Sequence, residues 1–144
     1  RLIEGEAVAH SDNTSFVTRL DIAGHTMVAD EPVDVGGTGT GPAPHGPLSA
    51  ALATCTAMTL HAYAKMKSLP VTDIRVMVKH EKIHEVDCEN CEQDEKAKID
   101  RLERTIWIEG DVDDKARERM MQIADRCPVH RTLTSQIRIV TRAG

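Results

Sequence analysis

The spacing of apolar residues changes several times along the chain, and each change predicts a different element. The opening residues 1–10 and the run SFVTRLDI over 15–22 read as two strands, with Ser11, Asp12 and Asn13 supplying turn chemistry between them. Gly24-His25 marks a second turn, and HTMVAD predicts a third short strand. Residues 31–46 contain five Gly and three Pro and predict a loop. From Pro44 to Ser68 the period becomes helical. Leu48, Leu52, Cys55, Thr59, Ala62 and Met66 share one stripe, while Ala50, Ala53, Ala57 and Ala64 fill other faces. A helix apolar on nearly every side is expected at the centre of a fold. Pro47 suits its first turn, and Lys65 and Lys67 suit its last.

Alternation returns in VTDIRVMVKH, with Ile74, Val76 and Val78 on one face and Arg75, Met77 and Lys79 on the other. The acidic stretch 84–97 predicts a solvated loop. IDRLERTIWIEG predicts a strand with Ile106 and Ile108 inward and Trp107 outward. After a turn at 110–114, with Asp111 or Asp113 as cap, a helix over 113–126 carries Ala116, Met120, Ile123 and Cys127 on one stripe. Pro128 should stop it and leave Cys127 at its C-terminal edge. HRTLTSQIRIVTR predicts a last strand. The expected order is β-β-β-α-β-β-α-β, an α+β fold with an antiparallel sheet on a long central helix and a shorter second helix, in one domain over 1–144.

Composition narrows the function. Aromatics make up only 2% of the 144 residues, so the core must be aliphatic, with six Met. The formal charge of −5 without a basic block argues against a nucleic-acid partner. The central helix is too polar to span a membrane. RLIEGEAVAH has no apolar h-region, so a cytoplasmic location is expected. The four cysteines, Cys55, Cys88, Cys91 and Cys127, are then expected as metal ligands, reactive thiols or buried residues rather than as a disulfide framework.

Cys55 and Cys127 both fall on apolar helical stripes. They are either inert core thiols or a reactive thiol with a partner that traps its sulfenic acid as a disulfide. At a helix C-terminus Cys127 would be the poorer nucleophile. Cys55 would need a cation nearby, with Arg19, Arg126 and Arg131 as candidates. His80-Glu81-Lys82-Ile83-His84 matches the zinc-protease pattern literally, but that motif works on a helix and this one continues a strand, so it reads as a decoy. His80, His84, Cys88 and Cys91 also offer four N/S ligands, a candidate zinc site. A metal- or small-ligand-binding protein built on that cluster is the alternative function, and a disulfide-exchange factor is a third.

The segments DEPVDVGGTGTGPAP, LSAALATCTAMTLHAYAKMKSLPV, ERTIWIEGDVDD and RERMMQIADRCPVHRTLTSQIRIVT resemble the OsmC/Ohr family of thiol peroxidases, in its OsmC-like redox protein branch. The resemblance covers nearly the whole chain. It implies an intertwined homodimer that reduces organic hydroperoxides and hydrogen peroxide without a cofactor and is restored by an external dithiol. It further implies Cys55 as the peroxidatic cysteine and Cys127 as the resolving one. Other branches place a Glu ten residues before the first cysteine, orienting an Arg from the N-terminal strands. Here that position is His45, and Arg19 is the one internal Arg before the helix.

Overall fold

The computed structural model describes residues 2–84 and 98–144, which fall into two compact units, 1–48 and 49–144. The first unit holds a three-stranded antiparallel meander, β1 (Ala7–His10), β2 (Thr18–Ile22) and β3 (His25–Ala29), in that spatial order. Ile22 pairs with His25, so the β2–β3 turn is Ala23-Gly24, one residue earlier than expected. Both turn residues have positive φ, 49° and 90°. That geometry matches the right-handed twist of the flanking strands.

The Gly-rich loop that follows is tied to one buried carboxylate. Asp30 is 2% exposed and accepts bonds from the backbone N–H groups of Glu31, Thr38 and Thr40 and from both threonine hydroxyls. The hydroxyl of Thr38 leads these contacts, which hold the Asp30 carboxyl well below the usual carboxylate range. Gly37 is required here, since a Cβ would lie 1.9 Å from the Glu31 carbonyl oxygen.

The second unit is built on α1 (His45–Met66), whose first turn begins in the first unit. Its buried positions are Leu52, Thr56, Leu60 and Ala64, four apart. Of the expected stripe Leu48, Leu52, Cys55, Thr59, Ala62 and Met66, Leu52 lies on this face and the others are displaced from it, with Met66 70% exposed. A helix apolar all round carries no moment to select its buried face, so packing selects it. The helix ends with Ser68 at φ 52° and with the bonds Leu69 N–H to Ala64 O and Ser68 N–H to Lys65 O. This is the double closure that satisfies the last carbonyls and folds Leu69 back onto the core.

β4 (Val71–His84) and β5 (Lys98–Gly110) form an antiparallel pair. Ile74, Ile106 and Ile108 face the core with Leu60, Ala64, Met120, Ile123 and Ala124. On the outer face Arg75 stacks over Trp107, its cross-strand partner, at 4.4 Å. Gly110 sits at φ 131° with the Pro70 carbonyl oxygen 2.2 Å from where a Cβ would be, so no other residue fits there. α2 (Asp114–Ala124) starts at the Asp113 cap, whose carboxylate accepts the Ala116 N–H at 2.8 Å. Arg117 from α2 braces the end of β5 through Ile108 O, Gly110 O and Val112 O.

Two expectations at the C-terminus are corrected. The chain does not end in a strand: residues 128–133 form a short helix, α3 (Pro128–Leu133), and 136–144 make no ladder among the described residues. The alternation Ile137, Ile139 was read correctly as a pattern, but a strand also needs a neighbour for its N–H and C=O groups, and Ile139 is 86% exposed. Pro128 does not simply stop a helix either. α2 ends at Ala124, and Pro128 opens α3 at a first-turn position where its missing N–H costs nothing.

Candidate functional site

Cys127 therefore lies at the N-cap of α3, not at the C-terminal edge of the preceding helix. The residue before a proline is pushed into extended backbone, and Cys127 has ψ 137°. This turns its sulfur onto the first turn of α3, where the His130 N–H donates to it at 3.3 Å. The expected dipole penalty is thereby reversed in sign, because an N–H end, not a carbonyl end, faces the sulfur.

Cys55 comes from the side of α1 next to the buried face and is partly exposed. The fold places the two free thiols side by side: Thr56, next to Cys55 on α1, reaches Cys127 Sγ, and Val129, two residues past Cys127, reaches Cys55 Sγ. Cys127 is wholly buried. The Val129 N–H donates to Cys55 Sγ at 3.5 Å. Thr56 fills the space beside them, also wholly buried, with its hydroxyl 3.8 Å from Cys127 Sγ and 2.7 Å from the Leu52 carbonyl oxygen.

Burial and proximity push the two thiols apart in acidity. Burial raises Cys55 most; the Val129 N–H works against it, but the neighbouring Cys127 adds to the rise, and the net shift is upward. For Cys127 burial also raises, but the His130 N–H, the Cys55 thiol, the Thr56 hydroxyl and the Arg104 guanidinium together outweigh it, and the net shift is downward. The two thiols titrate as a pair, with the first proton coming more easily from the inner sulfur, Cys127, than from Cys55.

The cation beside the sulfurs is Arg104, which was not among the residues expected to activate Cys55. It donates to Thr56 Oγ1, the Ala124 carbonyl, Asp125 Oδ1 and His130 Nδ1. Its signal in the sequence is positional: Arg104 occupies the inward phase of β5 between Leu102 and Ile106, a charge where the alternation calls for an apolar residue. Arg126 and Arg131 are exposed and are not among the groups acting on either thiol. Arg19 lies exposed on β2 opposite Val28, and His45 is the first residue of α1, both in the first unit.

His80 and His84 of the zinc-protease pattern both lie on β4, a strand as expected and not the helix that motif uses. His80 Nε2 is 2.7 Å from Asp100 Oδ1 on the paired strand. Cys88 and Cys91 of the candidate zinc set lie outside the described residues. Among the described residues no group of three or more His, Cys, Asp or Glu could hold a metal ion. A mainly apolar cleft of about 460 Å³, lined by Phe16, Leu20, Ala29, Pro44 and Pro47 among others, belongs to the first unit alone. A second, of about 350 Å³, lies by His61, Lys65 and Asp73; neither is lined by Cys55 or Cys127. No helix among the described residues is long and apolar enough to cross a membrane.

Comparison with known proteins bears on the family and the fold. The family model described as OsmC-like protein matches residues 37–142. No protein of curated function matches the chain. Among solved structures, an organic hydroperoxide resistance protein OsmC from Legionella pneumophila superposes with a TM-score of 0.67 at 16% identity, covering 93% of this chain and 91% of that one. An OsmC-like protein of unknown function from Vibrio cholerae gives 0.66 at 13% identity, covering 94% and 96%. An organic hydroperoxide resistance protein from Elizabethkingia anophelis gives 0.63 at 17% identity, covering 93% and 89%. At these identities each likeness is one of fold.

Proposed function

Because this chain belongs to the OsmC-like protein family, we propose that it is a cysteine-based peroxidase that reduces organic hydroperoxides through Cys55 and Cys127. Family membership supports a redox protein, and the organic hydroperoxide resistance proteins that share the fold supply the substrate class. The observation that carries the finer reading is the contact between a partly exposed thiol and a wholly buried one whose proton is the easier to lose.

The reaction follows from that contact. The Cys55 proton passes to the neighbouring Cys127 thiolate, which leaves the exposed sulfur as the nucleophile. That thiolate attacks the distal peroxide oxygen; the O–O bond breaks, and the alkoxide takes a proton and leaves as alcohol. Cys55 is now a sulfenic acid. Cys127 attacks its sulfur, the S–S bond forms, and hydroxide leaves as water after taking a proton. An external dithiol reduces the disulfide by exchange. No metal or organic cofactor enters.

The same reading includes a homodimer acting in the cytoplasm. It is supported by the apolar side chains that the chain leaves in solvent, Met58 and Met66 on α1 and Ile137, Ile139 and Val140 beyond α3. The test is consumption of tert-butyl hydroperoxide in the presence of dithiothreitol. Turnover should vanish in Cys55→Ser, and one equivalent of peroxide should give the wild type an intramolecular disulfide by intact mass. Turnover that survives in Cys55→Ser, or a wild type that forms no disulfide, refutes the reading.

A further inference from the structure

Arg104 is the one charged side chain of β5 that points with Ile106 and Ile108 into the unit, and it is 13% exposed. A guanidinium in that position is costly unless its N–H groups are bound. Nη1 is bound to Thr56 Oγ1 at 3.1 Å and to the Ala124 carbonyl at 3.3 Å. Nη2 is bound to Asp125 Oδ1 at 2.8 Å and to His130 Nδ1 at 3.3 Å. Since a guanidinium only donates, His130 Nδ1 must accept, which leaves its ring proton on Nε2. The single carboxylate in the set, Asp125, is 66% exposed and so screened by water. Arg104 thus keeps positive charge on the inner side, toward the sulfurs. Its anchors also flank Cys127: Thr56 touches the sulfur directly, and His130 donates its backbone N–H to it.

We propose that Arg104 is a positioning residue for the disulfide-forming half of the reaction, holding Cys127 in place against Cys55 through Thr56 and His130. The proposal rests on the peroxidase reading above and assigns its second step. In that step Cys127 thiolate displaces hydroxide from the Cys55 sulfenic acid, so its rate follows the thiolate fraction at Cys127. The groups that act on Cys127 are Cys55 and Thr56 from α1, Arg104 from β5 and His130 from α3; Asp125, from the turn after α2, reaches Arg104 and His130 rather than the sulfur. Of these, Arg104 is the permanent cation. A tenfold lower thiolate fraction at a given pH corresponds to a shift of about one pH unit.

The experiment reacts the reduced protein with one equivalent of tert-butyl hydroperoxide. Sulfenic acid is trapped with dimedone, and adduct and disulfide are followed by mass spectrometry across pH. In the wild type the disulfide should form with little adduct. In Arg104→Gln the disulfide step should slow about tenfold more than sulfenate formation, adduct should build up on Cys55, and the pH profile of the disulfide step should move up by about one unit. Arg104→Lys should recover part of the rate. The proposal is overturned if Arg104→Gln closes its disulfide at the wild-type rate or if both steps slow equally. A wild type that gives neither adduct nor disulfide overturns the peroxidase reading as well.

Discussion

Replacing Thr56 by Val tests whether the polar lining of the thiol site exists as described. Valine has nearly the same shape, so no cavity opens; only the hydroxyl is lost. That hydroxyl makes two short bonds, donating to Leu52 O at 2.7 Å and accepting from Arg104 Nη1 at 3.1 Å. Leu52 O keeps its helical N–H donor, so the first loss is about 1 kcal/mol. Arg104 loses a charge-assisted bond at a buried oxygen, about 1.5–3 kcal/mol, though Nη1 retains the Ala124 carbonyl and the lower end applies. Against these, a buried methyl in place of a hydroxyl returns about 0.8 kcal/mol. The net expectation is a destabilisation of about 2 kcal/mol. Urea unfolding should show it as a lower midpoint with unchanged slope. The same variant removes the oxygen that holds Arg104 Nη1 beside Cys127, so the thiol pair should lose its first proton at higher pH, measured by thiolate absorbance in the ultraviolet. A variant as stable as the wild type with an unmoved thiol titration would show that Thr56 does not link Arg104 to the sulfurs.

Two further outcomes test the framework around the site. Leu60 is wholly buried at the centre of the cluster with Met120 and Ile123, so Leu60→Ala should cost about 2–5 kcal/mol by urea unfolding; a cost below 1 kcal/mol would mean that this core is not packed as described. Asp30 should contribute to stability in full above the usual carboxylate range and progressively less as acid drives the pH down toward its depressed folded value. Asp30→Asn should therefore lower the urea midpoint at neutral pH, with the gap to the wild type narrowing below about pH 4, and a gap independent of pH would refute the assignment.

Much of the scaffold can be read from local pattern. The alternation Ile74, Val76, Val78 and Ile106, Ile108 sets the inner face of the β4–β5 pair, and it does so because side chains on a strand alternate strictly. Asp113 caps α2 through a contact to a residue three positions on. HEKIH could be dismissed as a zinc-protease site because the strand pattern runs into it. The last strand could not be read, since alternation supplies a face but not a neighbour to pair with.

The sequence by itself determined the local elements and the family resemblance, including which two cysteines to compare, because these depend on residue order and periodicity. Contacts across the fold alone set which of the two sulfurs gives up its proton more easily. That outcome rests on contacts made across the fold: Arg104 reaches Thr56 over 48 positions, and Thr56 reaches Cys127 over 71. Charge and burial act through distance in space, within a few ångströms of a sulfur. No local pattern encodes which β5 side chain will come to lie beside α1 and α3, so Arg104 appears in the sequence only as a charge out of phase.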